Sequence, residues 1–347
     1  MRSFLQPTTF DPVPASVVAL LRRVDFAAGG EALFRDQVPE LLGSLRDEAR
    51  VESVTASSAI EGVEVDRLRA PAILTGRATR LRDRSEEEFA GYTDALDYLY
   101  GGDAGDVSVG LVLHLHRLLF SRTDAPGGAF KTADNLVVDR HRDGTRQVRF
   151  EPVPARETPW FVQELAQRTN EALRAREQHP LLVVAAFGLD LLCIHPFDDG
   201  NGRVARLLSG YLLQRAGYGV GRYVSIEQLL YESKDEYYSA LADSTEGWFD
   251  DGRHALWPWA SYLLEQLGAA YARFESRVAV GRSAGSKKDR VRDFVLLHAG
   301  TTFTIAEIRR ALPGISDQTI RLVLAELRDA GRIAPDGTGR GATWQRR

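Results

Sequence analysis

The chain has 347 residues, 44% of them hydrophobic, and a formal net charge of −4, enough for a sizeable core spread over two or three domains. A single cysteine, Cys193, excludes an internal disulfide and a cysteine-based metal cluster. The longest mostly apolar run, Leu181 to Ile194, is too short to span a bilayer and is broken by Asp190, and no apolar signal core opens the sequence, so a cytoplasmic chain with no membrane partner is expected. Charge is shared unevenly: Ser286 to Arg347 carries twelve Lys or Arg against seven Asp or Glu, a local +5 that leaves −9 for the first 285 residues.

In chain order, helical periodicity runs from Gly29 to Arg50 and on from Arg46 to Ile60, where Ser57 and Glu61, four apart, share a face and Gly62 can cap the end. Glu86–Tyr100 and Val107–Phe120 read as helices on either side of a break at 103–106, with His114 and His116 as packing residues of the second. Asn135 to Phe150 reads as a hairpin: Leu136, Val137 and Val138, a turn at Asp143-Gly144, then the alternation Gln147 to Phe150. Thr158–Arg176 and Leu181–Ile194 are helical, the latter buried, and Cys193 within it reads as a small core hydrophobe or, less economically, as half of a Cys–His pair. Arg203–Arg215, ended by Gly217, a helix bearing Tyr237, Tyr238 and Leu241, and Trp257–Arg273 complete a mostly α body. Val280 to Lys288, small, polar and glycine-bearing, is the linker candidate. Beyond it lie helices at Arg290–Gly300 and Thr304–Leu312, a third from Gln318 to Ala330 capped by Ser316-Asp317, and a tail through Asp336-Gly337 and Gly339-Arg340-Gly341 to Trp344 that suits a hairpin.

The chemistry concentrates in His195-Pro196-Phe197-Asp198-Asp199-Gly200-Asn201-Gly202-Arg203-Val204-Ala205-Arg206, a loop feeding a helix N-terminus. Gly200 and Gly202 let successive N–H groups converge on a phosphate at the positive end of the helix dipole. Arg203 and Arg206, three apart in the first turn, predict a shared face that grips two phosphates. Asp199 offers an oxygen of the kind magnesium takes, and His195 is left to accept a proton.

This segment resembles the signature of the Fic family of nucleotidyl transferases, His-x-Phe-x-Asp/Glu-Gly-Asn-Gly-Arg-x-x-Arg, at every fixed position. The resemblance implies a mainly α fold, a Fic-type helical core with a small β-hairpin flap. It implies that His195 deprotonates a hydroxyl of a target protein, which can be the chain itself, and that this oxygen takes AMP from ATP with release of pyrophosphate. It further implies magnesium on Asp199, the α-phosphate on Asn201 and the amides of Gly200 and Gly202, and the β- and γ-phosphates on Arg203 and Arg206. A phosphate-transferring branch of the family has lysine where Gly202 stands. The Pro126 to Lys131 stretch and the hairpin that follows are similar to the family flap, which holds a target segment over the site through Leu136, Val137 and Val138, although Lys131 stands where arginine is usual. Tyr237 and Tyr238 resemble the element that walls ribose and base; core packing is the plain alternative, and Thr245 stands where the family often has asparagine.

Ser57-Ser58-Ala59-Ile60-Glu61-Gly62 matches the family's inhibitory pattern, Ser/Thr-x-x-x-Glu-Gly/Asn, against the alternative of a plain helix end. It implies that Glu61 pairs with Arg206 within one chain and occupies the room of the γ-phosphate. The C-terminal helices and tail resemble a winged helix-turn-helix, which presents Gln318, Thr319 and Arg321 to duplex DNA or docks a protein. The expected division is 1–104, an N-terminal helical region with the inhibitory helix; 105–280, the catalytic core with flap; and 281–347, linker and winged helix. Two further functions stay open at this level, a DNA-binding regulator acting through 290–347 with a nucleotide-sensing pocket, and a de-AMPylase on the same site. The family resemblance also allows a homodimer.

Overall fold

A computed structural model describes residues 2–4, 10–34, 39–66, 68–78, 80–102, 104–140, 146–249, 254–282, 287–336 and 343–346. The turn at Asp143-Gly144, the linker residues 283–286, and Gly337, Gly339, Arg340, Gly341 and Ala342 of the tail lie outside the described residues. None of the helices described is long and apolar enough to cross a membrane.

The body is helical: α1 (Ala15–Phe34), α2 (Pro39–Ile60), α3 (Ala70–Leu74), α4 (Arg84–Gly101), α5 (Val109–Phe120), then the antiparallel strands β1 (Val137–Arg140) and β2 (Arg146–Phe150), followed by α6 (Thr158–Ala175), α7 (Pro180–Ile194), α8 (Asn201–Arg215), α9 (Ile226–Glu232), α10 (Lys234–Thr245) and α11 (Trp257–Arg282). The predicted helix from Gly29 to Arg50 is two helices. Pro39, which lacks an N–H and has φ preset, opens the second. The first starts at Ala15, earlier than expected, and buries Val17, Leu21 and Val24, a spacing of four and three that was present in the sequence. The predicted end of α11 at Arg273 is also corrected: the helix takes in Val280 to Arg282, which narrows the expected linker.

α7 explains the centre of the body. Every residue but Pro180 and Leu192 is buried, so neighbouring helices cover it on all sides, and Pro180 at its first turn costs no intrahelical bond. Its one charged residue, Asp190, is wholly buried and satisfied from two directions, by Ser3 Oγ at 2.5 Å and by Trp248 Nε1 at 2.7 Å. α8 packs on α7, α2 lies on α8 and α9, and α1 runs along α11. One apolar core extends from Val17 to Val278, so the boundary expected at 104/105 falls inside it.

A second core, Val291 to Ile333, belongs to the C-terminal residues. It gathers α12 (Lys287–Asp293, continued by a wider turn to His298), β3 (Thr302–Thr304), α13 (Ile305–Ala311), α14 (Asp317–Asp329), β4 (Ile333–Asp336) and β5 (Thr343–Arg346). Ser316 Oγ accepts from Thr319 N at 3.2 Å and caps α14 as predicted. Strand β3, unforeseen, pairs with β5, giving a three-stranded antiparallel sheet in the order β3-β5-β4.

α4 and α5 meet backbone to backbone at Gly91, where a Cβ would overlap the Leu119 carbonyl. Gly91→Ala is therefore expected to destabilise the body by ~1–3 kcal/mol, read as a lower midpoint in urea unfolding; an unchanged midpoint would refute this packing.

Candidate active site

α7 ends at His195, which adopts the left-handed conformation (φ 51°, ψ 62°) common to helix termini but unusual for a non-glycine residue. That turn carries the chain into the loop and leaves the half-buried ring on the wall of a cleft of about 590 Å³, within the range of small-molecule sites. His195 Nδ1 lies 3.3 Å from the Leu192 carbonyl, which can only accept, so Nδ1 holds the proton of the neutral ring and Nε2 is the basic nitrogen. Burial pushes the imidazole down to about 4, with Leu192 opposing and Lys131 adding to the depression. The ring is neutral, and able to accept a proton, throughout the physiological range.

The loop is held rigidly. Asn201 Oδ1 accepts from Phe197 N at 2.9 Å and its Nδ2 donates to Phe197 O at 2.8 Å. Both polar atoms of the Asn201 side chain are thus used in shaping the loop, while its backbone N–H lies in the first turn of α8. Phe197 is fully buried and stacks on His116 with ring centroids 3.7 Å apart. His116 Nε2 lies 3.2 Å from Asp199 O, and its Nδ1 accepts from Gly128 N at 2.9 Å. The residue predicted as simple helix packing thus joins the loop after α7 to the approach to the hairpin. Gly200 (φ 80°) lies against Leu119 and Phe120, where a Cβ would come within 2.8 Å of Leu119 Cδ2. No side chain caps α8, so its first-turn amides remain available to an anion.

The two arginines diverge. Arg203 is 1% exposed, with Nη1 2.5 Å from Glu88 Oε2, Nη2 3.4 Å from Asp199 Oδ1, and its guanidinium over the Phe120 ring. The predicted shared face is corrected: a buried carboxylate on α4, which nothing in the run Glu86 to Glu88 announced, holds the fork of Arg203. Arg206 turns the other way, to α2. Its Nε donates to Ser57 Oγ at 2.9 Å, and its Nη2 donates to Ser57 O at 3.0 Å and Glu61 Oε1 at 2.8 Å. Burial alone disfavours this cation, but Glu61 more than compensates and keeps it charged. Gly202 makes room for the pair, since a side chain there would run into Glu61 Oε1. Lys234 Nζ donates to Ile60 O at 2.8 Å and fastens the end of α2 to α10.

Glu61, Gly202, Lys234, Tyr237 and Tyr238 line the cleft beside His195, with Val137 and Val138 of β1 on its wall, while exposed Leu136 stays outside the lining. Tyr237 is buried and meets Tyr238 edge to face, 5.1 Å between centroids. Asp199 is 56% exposed; its Oδ1 accepts from Gly200 N at 2.6 Å and Oδ2 lies 3.5 Å from Arg84 Nη2. Lys131, 3% exposed, donates from Nζ to Asn135 Oδ1 at 2.8 Å and lies 3.4 Å from Ile194 O, and its amide donates to Pro196 O at 3.0 Å. Lysine in place of arginine still ties the hairpin to the loop. Buried Cys193, its thiol pushed well above the usual range by burial, is a core residue and no partner for His195.

Residues 106–213 match the model of the Fic/DOC family. A Protein adenylyltransferase Fic of Drosophila yakuba is 29% identical over 221 residues, covering 60% of this chain and 41% of its own length. The chain therefore spans less than half the length of that relative. Among solved structures, a Fic family protein from Desulfovibrio desulfuricans G20 is similar with a TM-score of 0.63 over 96% of this chain and 97% of its own, at 20% identity. A Fic domain containing signaling protein from Bacteroides thetaiotaomicron VPI-5482 gives 0.60 over 74% and 94%, at 21% identity. At these identities the likeness is one of fold.

The histidine ring signals of the free protein provide a check. The resonance lost in His195→Ala should show a neutral ring down to pH 5 and titrate near pH 4; titration at the ordinary histidine value of ~6.5 would mean that the ring is solvated.

Proposed function

With residues 106–213 matching the Fic/DOC family model, we propose that this chain is a protein adenylyltransferase, moving AMP from ATP to a hydroxyl side chain of a target protein, and that Glu61 restrains it through Arg206. The observation that carries this reading is one cleft in which a neutral imidazole stands near a buried guanidinium already occupied by a carboxylate of the same chain.

His195 Nε2 removes the target hydroxyl proton as the oxygen attacks the α-phosphorus; the new O–P bond forms as the bond to the β-phosphate bridging oxygen breaks, and pyrophosphate leaves. The uncapped amides at the start of α8, with no side chain at Gly202 and with the Gly200 N–H directed to Asp199 Oδ1, meet the developing charge with pre-aimed donors. Tyr237 and Tyr238 flank ribose and base, and Val137 and Val138 guide the target segment. Arg203 acts from behind, its Glu88 pair turning it toward Asp199. A single half-exposed carboxylate, Asp199, suits magnesium that completes its shell with phosphate and water oxygens. When bound, the ion would neutralise charge on the triphosphate.

Glu61 takes the Arg206 hydrogen bonds that a terminal phosphate would need. ATP bound beside it loses the in-line geometry on which transfer depends. Both partners belong to one chain, so this restraint needs no second copy.

The C-terminal residues fit protein docking better than duplex binding. Arg309 pairs with Asp317, Lys288 and Arg292 with Glu326, and Arg328 with Asp329, which spends cations a phosphate backbone would require. Accordingly, steeply salt-dependent binding of the full chain to a duplex would overturn the docking assignment.

With ATP labelled at the α-phosphate and lysate proteins or the chain itself as acceptor, Glu61→Gly should label on the order of tenfold faster or more. Equal rates at saturating ATP would remove Glu61 as a restraint. Adding His195→Ala to that variant should lower labelling by ~10²- to 10⁴-fold with ATP affinity retained; a smaller loss would take the base role from His195.

A further inference from the structure

Beyond the cleft, the same wall continues into a second groove of about 840 Å³, and the two share Phe150, Ala242 and Thr245. The groove lies between β2, the start of α6 and the end of α10. Its floor is aromatic: Phe150, Phe161 and Phe249 surround buried Trp248, with centroid separations of 6.4, 6.3 and 5.0 Å. Val148, 55% exposed, lies at its edge.

Among the described residues four carboxylates stand around this floor, those of Glu151, Glu157, Asp243 and Glu246, against one lining cation, Arg2. Arg2 is drawn over the Trp248 ring, 5.8 Å from its centroid. Glu151, Asp243 and Glu246 are exposed and make no ion pair among the described residues, and Glu157 pairs only with the highly exposed Arg156. Apolar rings beneath unpaired carboxylates match a side chain that is cationic at its tip and apolar or planar along its length, which describes arginine and, less fully, lysine. Unpaired negative charge repels an acidic segment and draws in a basic one.

We propose that this groove seats a basic segment of the target protein, Arg- or Lys-bearing, and so presents a neighbouring hydroxyl residue to His195. The proposal rests on the adenylyltransferase reading and adds to it a rule for target choice. Chain running from the groove past Phe150 enters the cleft directly, so recognition and chemistry fall on one continuous segment.

The test uses the full chain with Glu61→Gly and fluorescein-labelled peptides of roughly ten residues, each with one Thr and with Arg, Ala or Glu flanking it on either side. Fluorescence anisotropy should show the Arg peptides binding ~10-fold more tightly than the Glu peptides, with the difference shrinking as salt rises. Asp243→Lys with Glu246→Lys should reduce the preference to within about twofold while ATP affinity stays the same. Equal binding of Arg and Glu peptides, or a preference that survives the charge reversal, overturns the proposal. Anisotropy needs no AMP transfer, so a chain that discriminates among peptides yet labels nothing from α-labelled ATP contradicts the enzyme reading and not the groove.

Discussion

Arg206 has one guanidinium and two claimants. It is buried, so its charge must be matched, and what matches it here is the backbone and hydroxyl of Ser57 on α2 with Glu61 just past the end of that helix. A triphosphate could supply the same acceptors. On the proposed reading, one electrostatic demand gives two states: the Glu61 carboxylate on the arginine, or a phosphate there with the carboxylate displaced. Glu61 is partly exposed, whereas Ser57 is buried in the core. Gly202 leaves the room that Glu61 takes beside Arg206.

The loop before Arg206 is held in shape by the chain's own contacts. Asn201 folds it back on Phe197, His116 supports it from α5, and Lys131 joins it to the hairpin. Such preorganisation matters because dipoles already aimed at a developing charge need not reorganise during reaction. His195 completes the arrangement, with one nitrogen directed to a carbonyl and burial holding the other unprotonated.

The loop and its helix were legible in the sequence because twelve consecutive residues carry base, carboxylate, glycines and arginines. Ser57 and Glu61 were legible as a pattern, although Arg206 lies 145 residues beyond Glu61. Other parts were not, for a common reason. Glu88 sits in an acidic run that reads as a solvated face, and its partner is 115 residues away. His116 looks like any polar residue in an apolar helix until Phe197 is folded onto it, and Asn201 looks free until the loop closes. Spacing reports which residues share a face; it does not report what a distant segment brings to that face. The same holds for β3, three residues that become a strand only by pairing with β5.

The central claim is that Glu61 stands where the terminal phosphate of ATP must go. Crystal structures of the full chain and its Glu61→Gly variant, each with magnesium and a non-hydrolysable ATP analogue, test it most directly. The account predicts the γ-phosphate hydrogen-bonded to Arg206 in the variant, and Glu61 still on Arg206 with the γ-phosphate elsewhere in the wild type. A γ-phosphate on Arg206 in both, or in neither, would contradict it.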